Sequence, residues 1–161
     1  MRNALYRASA SALVALTLAG CASTPVPSTI VDTTARTPEL STLNRLIAEA
    51  GLGDTLRAAG PYTVFAPSDE AFKAVPPATM KELAGNKELL KSVLSYHVVP
   101  GKVTAADVKN GNVRTVQGAN VALAKAGGFV TVEEAMVTKA DVDASNGVVH
   151  VIDRVLMPPK R

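Results

Sequence analysis

Thr63-Val64-Phe65-Ala66-Pro67-Ser68-Asp69-Glu70-Ala71-Phe72 decides the fold of this 161-residue chain. Its first half, with Tyr62 before it, is β-branched and aromatic, which predicts a buried strand. Its second half is a turn that becomes a helix. Ser68 or Asp69 can accept hydrogen bonds from the free amides of a first helical turn, and Phe72 packs back on the core. A buried strand running into a capped helix fixes one corner of an interior, with Phe65 and Phe72 as its anchors.

Working back from this corner, residues 30–35 read as a short helix interrupted near Pro38. Leu40, Leu43, Leu46, Ile47 and Ala50 share one helical face, and Gly51 or Gly53 supplies the stop. Residues 52–59 form another short helical piece, closed by Gly60-Pro61. Working forward, Pro76-Pro77 breaks the chain and residues 79–84 make a short helix ended by Gly85-Asn86. Residues 87–96 are the clearest helix, with Leu89, Leu90, Val93 and Leu94 on its apolar side.

After Pro100-Gly101 the period changes. Strands are predicted over 113–116, 121–124, 129–132, 136–142, 148–152 and 155–157, with turns at Gly118, Gly127-Gly128 and Glu133-Glu134. Asn146-Gly147 suits a tight turn because both residues tolerate positive φ. In the last long strand Val149, Val151 and Asp153 alternate with His150, Ile152 and Arg154. Neither face is uniformly apolar, which predicts a partly covered strand rather than a central one. Helices followed by strands give an α+β class with a mostly antiparallel sheet.

The N-terminus has a separate character. Arg2 and Arg7 precede a short apolar stretch over 8–19, and Leu18-Ala19-Gly20-Cys21 follows. This is the layout of an export signal, and the apolar run is too short to span a bilayer, which takes roughly 20 residues. Leu18 to Cys21 resembles the bacterial lipobox, in which the cysteine thiol is acylated and cleavage falls just before it. The expectation is a signal peptide over 1–20, a lipid-bearing Cys21 with a Pro/Ser/Thr tether over 22–29, a domain over 30–158 and a tail over 159–161.

Cleavage would leave 141 of the 161 residues, enough for one core. Cys21 is the only cysteine, so no disulfide within the chain can staple it. Of 17 basic and 14 acidic residues, Arg2 and Arg7 would leave with the signal, so the remainder is nearly neutral. The basic pI of the precursor is then no argument for nucleic acid, and the absence of Trp argues against base-stacking surfaces.

Three segments resemble one family. Residues 63–72 are similar to the first signature of the fasciclin domain. Asn146-Gly147-Val148-Val149-His150-Val151-Ile152-Asp153-Arg154-Val155-Leu156-Met157-Pro158 is similar to its second. Leu94-Ser95-Tyr96-His97-Val98-Val99-Pro100-Gly101 looks like its central tyrosine–histidine motif. The resemblance covers residues 28–158 and implies a β-sandwich or wedge flanked by helices, in secreted or surface proteins concerned with adhesion and binding. The corresponding tyrosine–histidine segment is implicated in receptor binding in some animal members.

Tyr96 and His97 are therefore the candidate binding residues. The alternative is a buried His97 that holds the corner through Asp69 or Ser68, and buried polar groups do require such partners. His150 has the same structural alternative. No catalytic, cofactor or metal site is expected. Ser68 and Asp69 are adjacent and poorly placed to reach different nitrogens of one imidazole, and no nucleophile elbow is present. Two histidines without ligand spacing make a weak zinc case. Asp141 and Asp143 share a strand face and suit a solvated surface better than a calcium loop. Gly101-Lys102 lacks the preceding glycine of a phosphate loop. Lys87, Lys91, Lys102 and Lys109 read as solubilising charge.

The expected protein is a lipid-anchored, monomeric, non-enzymatic binding or adhesion module of the cell envelope, engaging a protein or glycan. Its place is the outer membrane of a host that has one, and otherwise the cell surface. The other reading is a small-ligand carrier or enzyme with a pocket near Tyr96 and His97.

Overall fold

Side-chain caps set where three of the helices begin. The structure, a computed structural model, describes residues 28–58 and 60–159. Thr29 accepts from the amide of Asp32 while the Asp32 carboxylate accepts from the amide of Thr29, a reciprocal box that opens α1 (Ile30–Arg36). A single tight turn at Pro38–Leu40 leads into α2 (Ser41–Glu49), which buries Leu43, Leu46 and Ile47, and α3 (Gly53–Arg57) follows. Strand β1 (Tyr62–Pro67) is the predicted buried strand. Ser68 then caps α4 (Asp69–Ala74), accepting from the amide of Ala71 at 3.2 Å. After α5 (Pro77–Gly85), Asn86 caps α6 (Lys87–Tyr96), the helix the sequence predicts most clearly.

The remaining strands are β2 (Val98–Pro100), β3 (Gly111–Arg114), β4 (Asn120–Ala126), β5 (Phe129–Val132), β6 (Ala135–Ala144) and β7 (Gly147–Ile152). They form one seven-stranded sheet with β1, in the order β2-β1-β7-β6-β5-β4-β3. Every pair is antiparallel except β1 with β7, so the sheet is mixed. The sheet bends until its edges nearly meet: the amide of Val116 donates to the Val98 carbonyl at 2.8 Å, and that of Gln117 to Ser95 at 3.2 Å. The result is the helix-flanked wedge that the resemblance implies.

Two interiors sit on opposite faces of β1 and β7. Val64, Ala66, Val149 and Val151 face the helices, among Ile30, Leu43, Ile47 and Leu90. Phe65 and Ile152 face the hollow of the sheet, with Tyr96, Val121, Val132 and Leu156. A strand pinned between two layers is buried along its whole length, and all six residues of β7 are. This corrects the expectation of a partly covered last strand: β7 is central. The polar residue that breaks one face, His150, is hydrogen-bonded and buried, while Asp153 and Arg154 lie beyond the strand's end.

Two other expectations change. Residues 155–157 form no strand, although Leu156 is buried in the second interior. Neither Asn146 nor Gly147 has positive φ. Gly147 is needed for proximity instead, because a Cβ there would lie 1.9 Å from the Tyr62 carbonyl oxygen. Asn146 is a strut: its carboxamide oxygen accepts from Ile30 and its nitrogen donates to the Leu56 carbonyl, tying the β6–β7 turn to α1 and α3.

Candidate functional site

Tyr96 and His97 end α6 and enter β2, so their side chains are set by the helix terminus and the strand that follows. They diverge. His97 is 1 % exposed, and each ring nitrogen meets a backbone group. The amide of Leu156 donates to Nε2 at 2.9 Å, so Nε2 must be the unprotonated nitrogen, and Nδ1–H donates to the Val93 carbonyl at 2.8 Å. Burial pushes the ring's pKa down to about 4, with the Val93 carbonyl pulling the other way, so the imidazole is neutral at ordinary pH.

The partners of His97 are thus Val93 and Leu156, not Asp69 or Ser68. Ser68 is spent on the α4 cap. Asp69 reaches back to α2, where its carboxylate accepts from the Ser41 hydroxyl at 2.7 Å and the Thr42 amide at 2.8 Å. Partial burial of that carboxylate raises its pKa, but the bonds from Ser41 and Thr42 and the charge of Lys73 outweigh it, and the net shift is downward. Ser68, Asp69 and His97 are each engaged in separate structural bonds.

His150 repeats the pattern on β7. The Asp141 amide donates to its Nδ1 at 3.2 Å, and Nε2–H donates to the Val103 carbonyl at 2.8 Å. Its ring stacks on Phe65 with centroids 5.6 Å apart. Both histidines are bridges between backbone segments. Asp141, at φ 54°, accepts from the Ala105 amide, and Asp143 pairs with Lys102 at 3.2 Å, so these two carboxylates brace the loop after β2.

Tyr96 behaves differently. Its ring is buried, but its hydroxyl lines an open cleft of about 500 Å³ together with Glu133, Glu134, Arg154, Leu156 and Met157. The hydroxyl donates to the Asn120 carbonyl at 3.0 Å and lies 3.3 Å from Glu133 Oε1. Burial first, and then the Glu133 charge and hydrogen bond, hold it above the usual tyrosine range. Glu133 adopts φ 54° in the turn between β5 and β6, which returns its carboxylate to the Ala122 amide at 2.8 Å. Arg154 sits 3.8 Å from Glu134 on the rim, and Met157 is exposed beside it. The cleft offers an apolar floor with both signs of charge at its edge.

Sequence reasoning missed Glu133 and Leu156. Glu133 reads only as a turn residue, and nothing local marks it as the brace of a tyrosine 37 positions away. Leu156 reads as an apolar strand residue, and its role lies in its amide. Cys21, the signal over 1–20 and the tether as far as residue 27 lie outside the described residues, but the last two tether residues belong to the domain: the Ser28 carbonyl accepts from the Ser145 amide at 2.8 Å and Thr29 caps α1.

The family model of the fasciclin domain matches residues 38–158. The chain belongs to the fasciclin-domain family. The fasciclin domain here also packs α1, which precedes the matched span, into its helical interior through Ile30 and Val31. Among similar proteins, "Protein sll1483" of Synechocystis sp. (strain ATCC 27184 / PCC 6803 / Kazusa) is 46% identical over 140 residues, covering 86% of this chain and 78% of the relative. Cell surface glycolipoprotein MPB83 of Mycobacterium bovis is 37% identical over 147 residues, covering 88% of this chain and 64% of that one. A solved FAS1 domain pair from the insect cell adhesion molecule fasciclin I aligns with a TM-score of 0.72 at 20% identity, covering 81% of this chain and 51% of that one. At that identity the likeness concerns the fold.

Proposed function

We propose that this fasciclin-domain protein is a non-catalytic binding module of the cell envelope, held to a membrane by acyl chains on Cys21 and engaging a protein or glycan. The observation that carries the reading is how the histidines are used. Both rings have both nitrogens committed to backbone groups, so neither is free to shuttle protons, and the accessible part of the tyrosine–histidine motif is the cleft beside Tyr96. The similarity to a protein named a cell surface glycolipoprotein supports the location and the lipid. Two or more acyl chains give stable attachment where one does not, at roughly 0.8 kcal/mol per buried methylene.

The location is tested with labelled fatty acid, which should enter the wild type and not Cys21→Ser. For binding, the domain is immobilised and presented with purified envelope polysaccharide and, separately, with a solubilised envelope protein fraction. Saturable retention that weakens in Met157→Asp or Glu134→Lys is the expected result. Retention by neither fraction, with unchanged attachment and envelope integrity on deletion, would leave the reading without support.

A second reading is favoured by the cleft itself. Its apolar floor and charged rim suit a small amphipathic ligand, and a carrier of such a ligand would fill it. Soaked small amphiphiles that protect Tyr96 and Met157 from chemical labelling, with no retention of polymer, would select this reading over the first.

A further inference from the structure

We propose that His97 is an acid-sensitive latch: protonation of its ring releases the segment that follows Asp153, residues 154–159, and opens the second interior at the floor of the Tyr96 cleft. The segment has no regular secondary structure. The chain before it is held at Asp153, whose amide donates to the Met136 carbonyl at 3.1 Å and whose carboxylate accepts from the Met136 amide at 2.7 Å. Beyond that, the backbone hydrogen bond of residues 154–159, among the described residues, is the one from Leu156 to His97. Arg154 and Glu134 add only an exposed ion pair at 3.8 Å. Beyond Asp153, one imidazole nitrogen, the buried Leu156 side chain and the half-buried Val155 against the helical interior hold the segment in place.

The bond needs Nε2 as an acceptor. Adding a proton there places N–H against N–H, and Leu156 must move away while the Val93 carbonyl keeps its bond to Nδ1. Apart from the Val93 carbonyl, the surroundings supply nothing to stabilise a cation. From α6, Tyr96 turns its hydroxyl to Asn120 and Glu133, and from β7, His150 stacks on the far ring, Phe65. Glu133 is bound to Ala122 and Tyr96, while Glu134, Asp153 and Arg154 are on the surface. The ring's proton affinity in the closed form is accordingly set by burial, opposed only by the Val93 carbonyl. In the open form the ring is solvated and recovers its ordinary affinity.

The sign follows from linkage. The closed ring titrates near pH 4 and the released ring near 6.5, so protons bind the open form, and opening grows as pH falls between these values. Opening exposes Leu156 and the edge of Phe65 and Tyr96, which would turn a small cleft into a continuous apolar groove.

The test is amide hydrogen exchange on the intact domain from about pH 7 to about pH 4, corrected for the intrinsic pH dependence. The opening constant of the Leu156 amide should rise roughly tenfold per pH unit below about 6.5, totalling two to three orders of magnitude, while amides of β1 and β7 stay protected. His97→Gln, which keeps an acceptor and a donor but does not titrate, should show a flat opening constant. Because that variant could fold poorly, the ring of the wild type is also followed by NMR through the same range: its protonation must track the opening. A Leu156 amide whose opening is independent of pH, opening while the ring stays neutral, or a Leu156 amide that opens with the same free energy as the amides of β1 and β7 at every pH would each overturn the proposal.

Discussion

The carbonyl oxygen of Tyr62 occupies the place where a side chain on Gly147 would begin. The two residues are paired across the parallel β1–β7 contact, and a Cβ on Gly147 would lie 1.9 Å from that oxygen and 2.9 Å from the tip of Ile30. A backbone atom cannot step aside as a flexible side chain can. Gly147→Ala should therefore lose about 4 kcal/mol or more of stability in urea denaturation, a range reserved for breaks at the centre of a structure. Gly85→Ala is the control. A Cβ there meets nothing within 4 Å, and stability should hold or rise by up to about 1 kcal/mol.

Phe65 and Phe72 flank the same corner but are unequally enclosed. Phe65 is fully buried in the second interior and carries the stacked His150 ring, whereas Phe72 lies near the edge of the helical interior at 7 % exposure. Truncation of either to Ala should cost about 3–5 kcal/mol, with Phe65→Ala at the upper end. Calorimetric melting of the two variants under identical conditions ranks them.

Acid should destabilise the domain in two stages. His97 has a folded pKa depressed to about 4, so its contribution is complete above the unfolded value near 6.5 and falls by about 1.4 kcal/mol per pH unit until the folded ring also titrates. Asp69 and Asp32 are depressed below 3.8, so their contribution is present above that value and disappears as pH drops beneath it. Urea midpoints measured across this range should show the upper stage vanish in His97→Gln and the lower one shrink in Asp69→Asn.

At the alkaline end, Tyr96 should ionise above the ordinary tyrosine range. Burial opposes its charged form, and Glu133 adds a like charge against it. Spectrophotometric titration should lose this raised step in Tyr96→Phe. The same variant gives up the bond to Asn120, and its stability should drop by about 0.5–1.5 kcal/mol.

Legibility in the sequence followed locality. Helix α6 is set by a cap at Asn86 and an apolar stripe within ten residues, so its span could be read directly. The corner at Phe65, Ser68 and Phe72 is equally local. β7 was misread because its alternate residues serve two interiors, and a buried His150 cannot be told from an exposed one without knowing that Val103 and Asp141 receive it. Of Asn146-Gly147 only Asn146 lies in the turn, with Ser145, while Gly147 opens β7, and the need for glycine there lies across the sheet, in Tyr62 and Ile30. The motif that marked Tyr96 and His97 together could not show that one lines a cleft while the other is sealed beneath a segment 59 residues later.

The parallel pairing of β1 with β7 also imposes a timetable. β1 is complete by Pro67, yet its neighbour at the middle of the sheet arrives only with residues 147–152. Until then β1 has one antiparallel partner, the three-residue β2, and both interiors lack a wall. A nascent chain emerging from the ribosome can form its helices early but cannot close around them until nearly the whole domain has appeared. Such dependence on distant contacts slows folding and keeps the growing chain pliable throughout its synthesis.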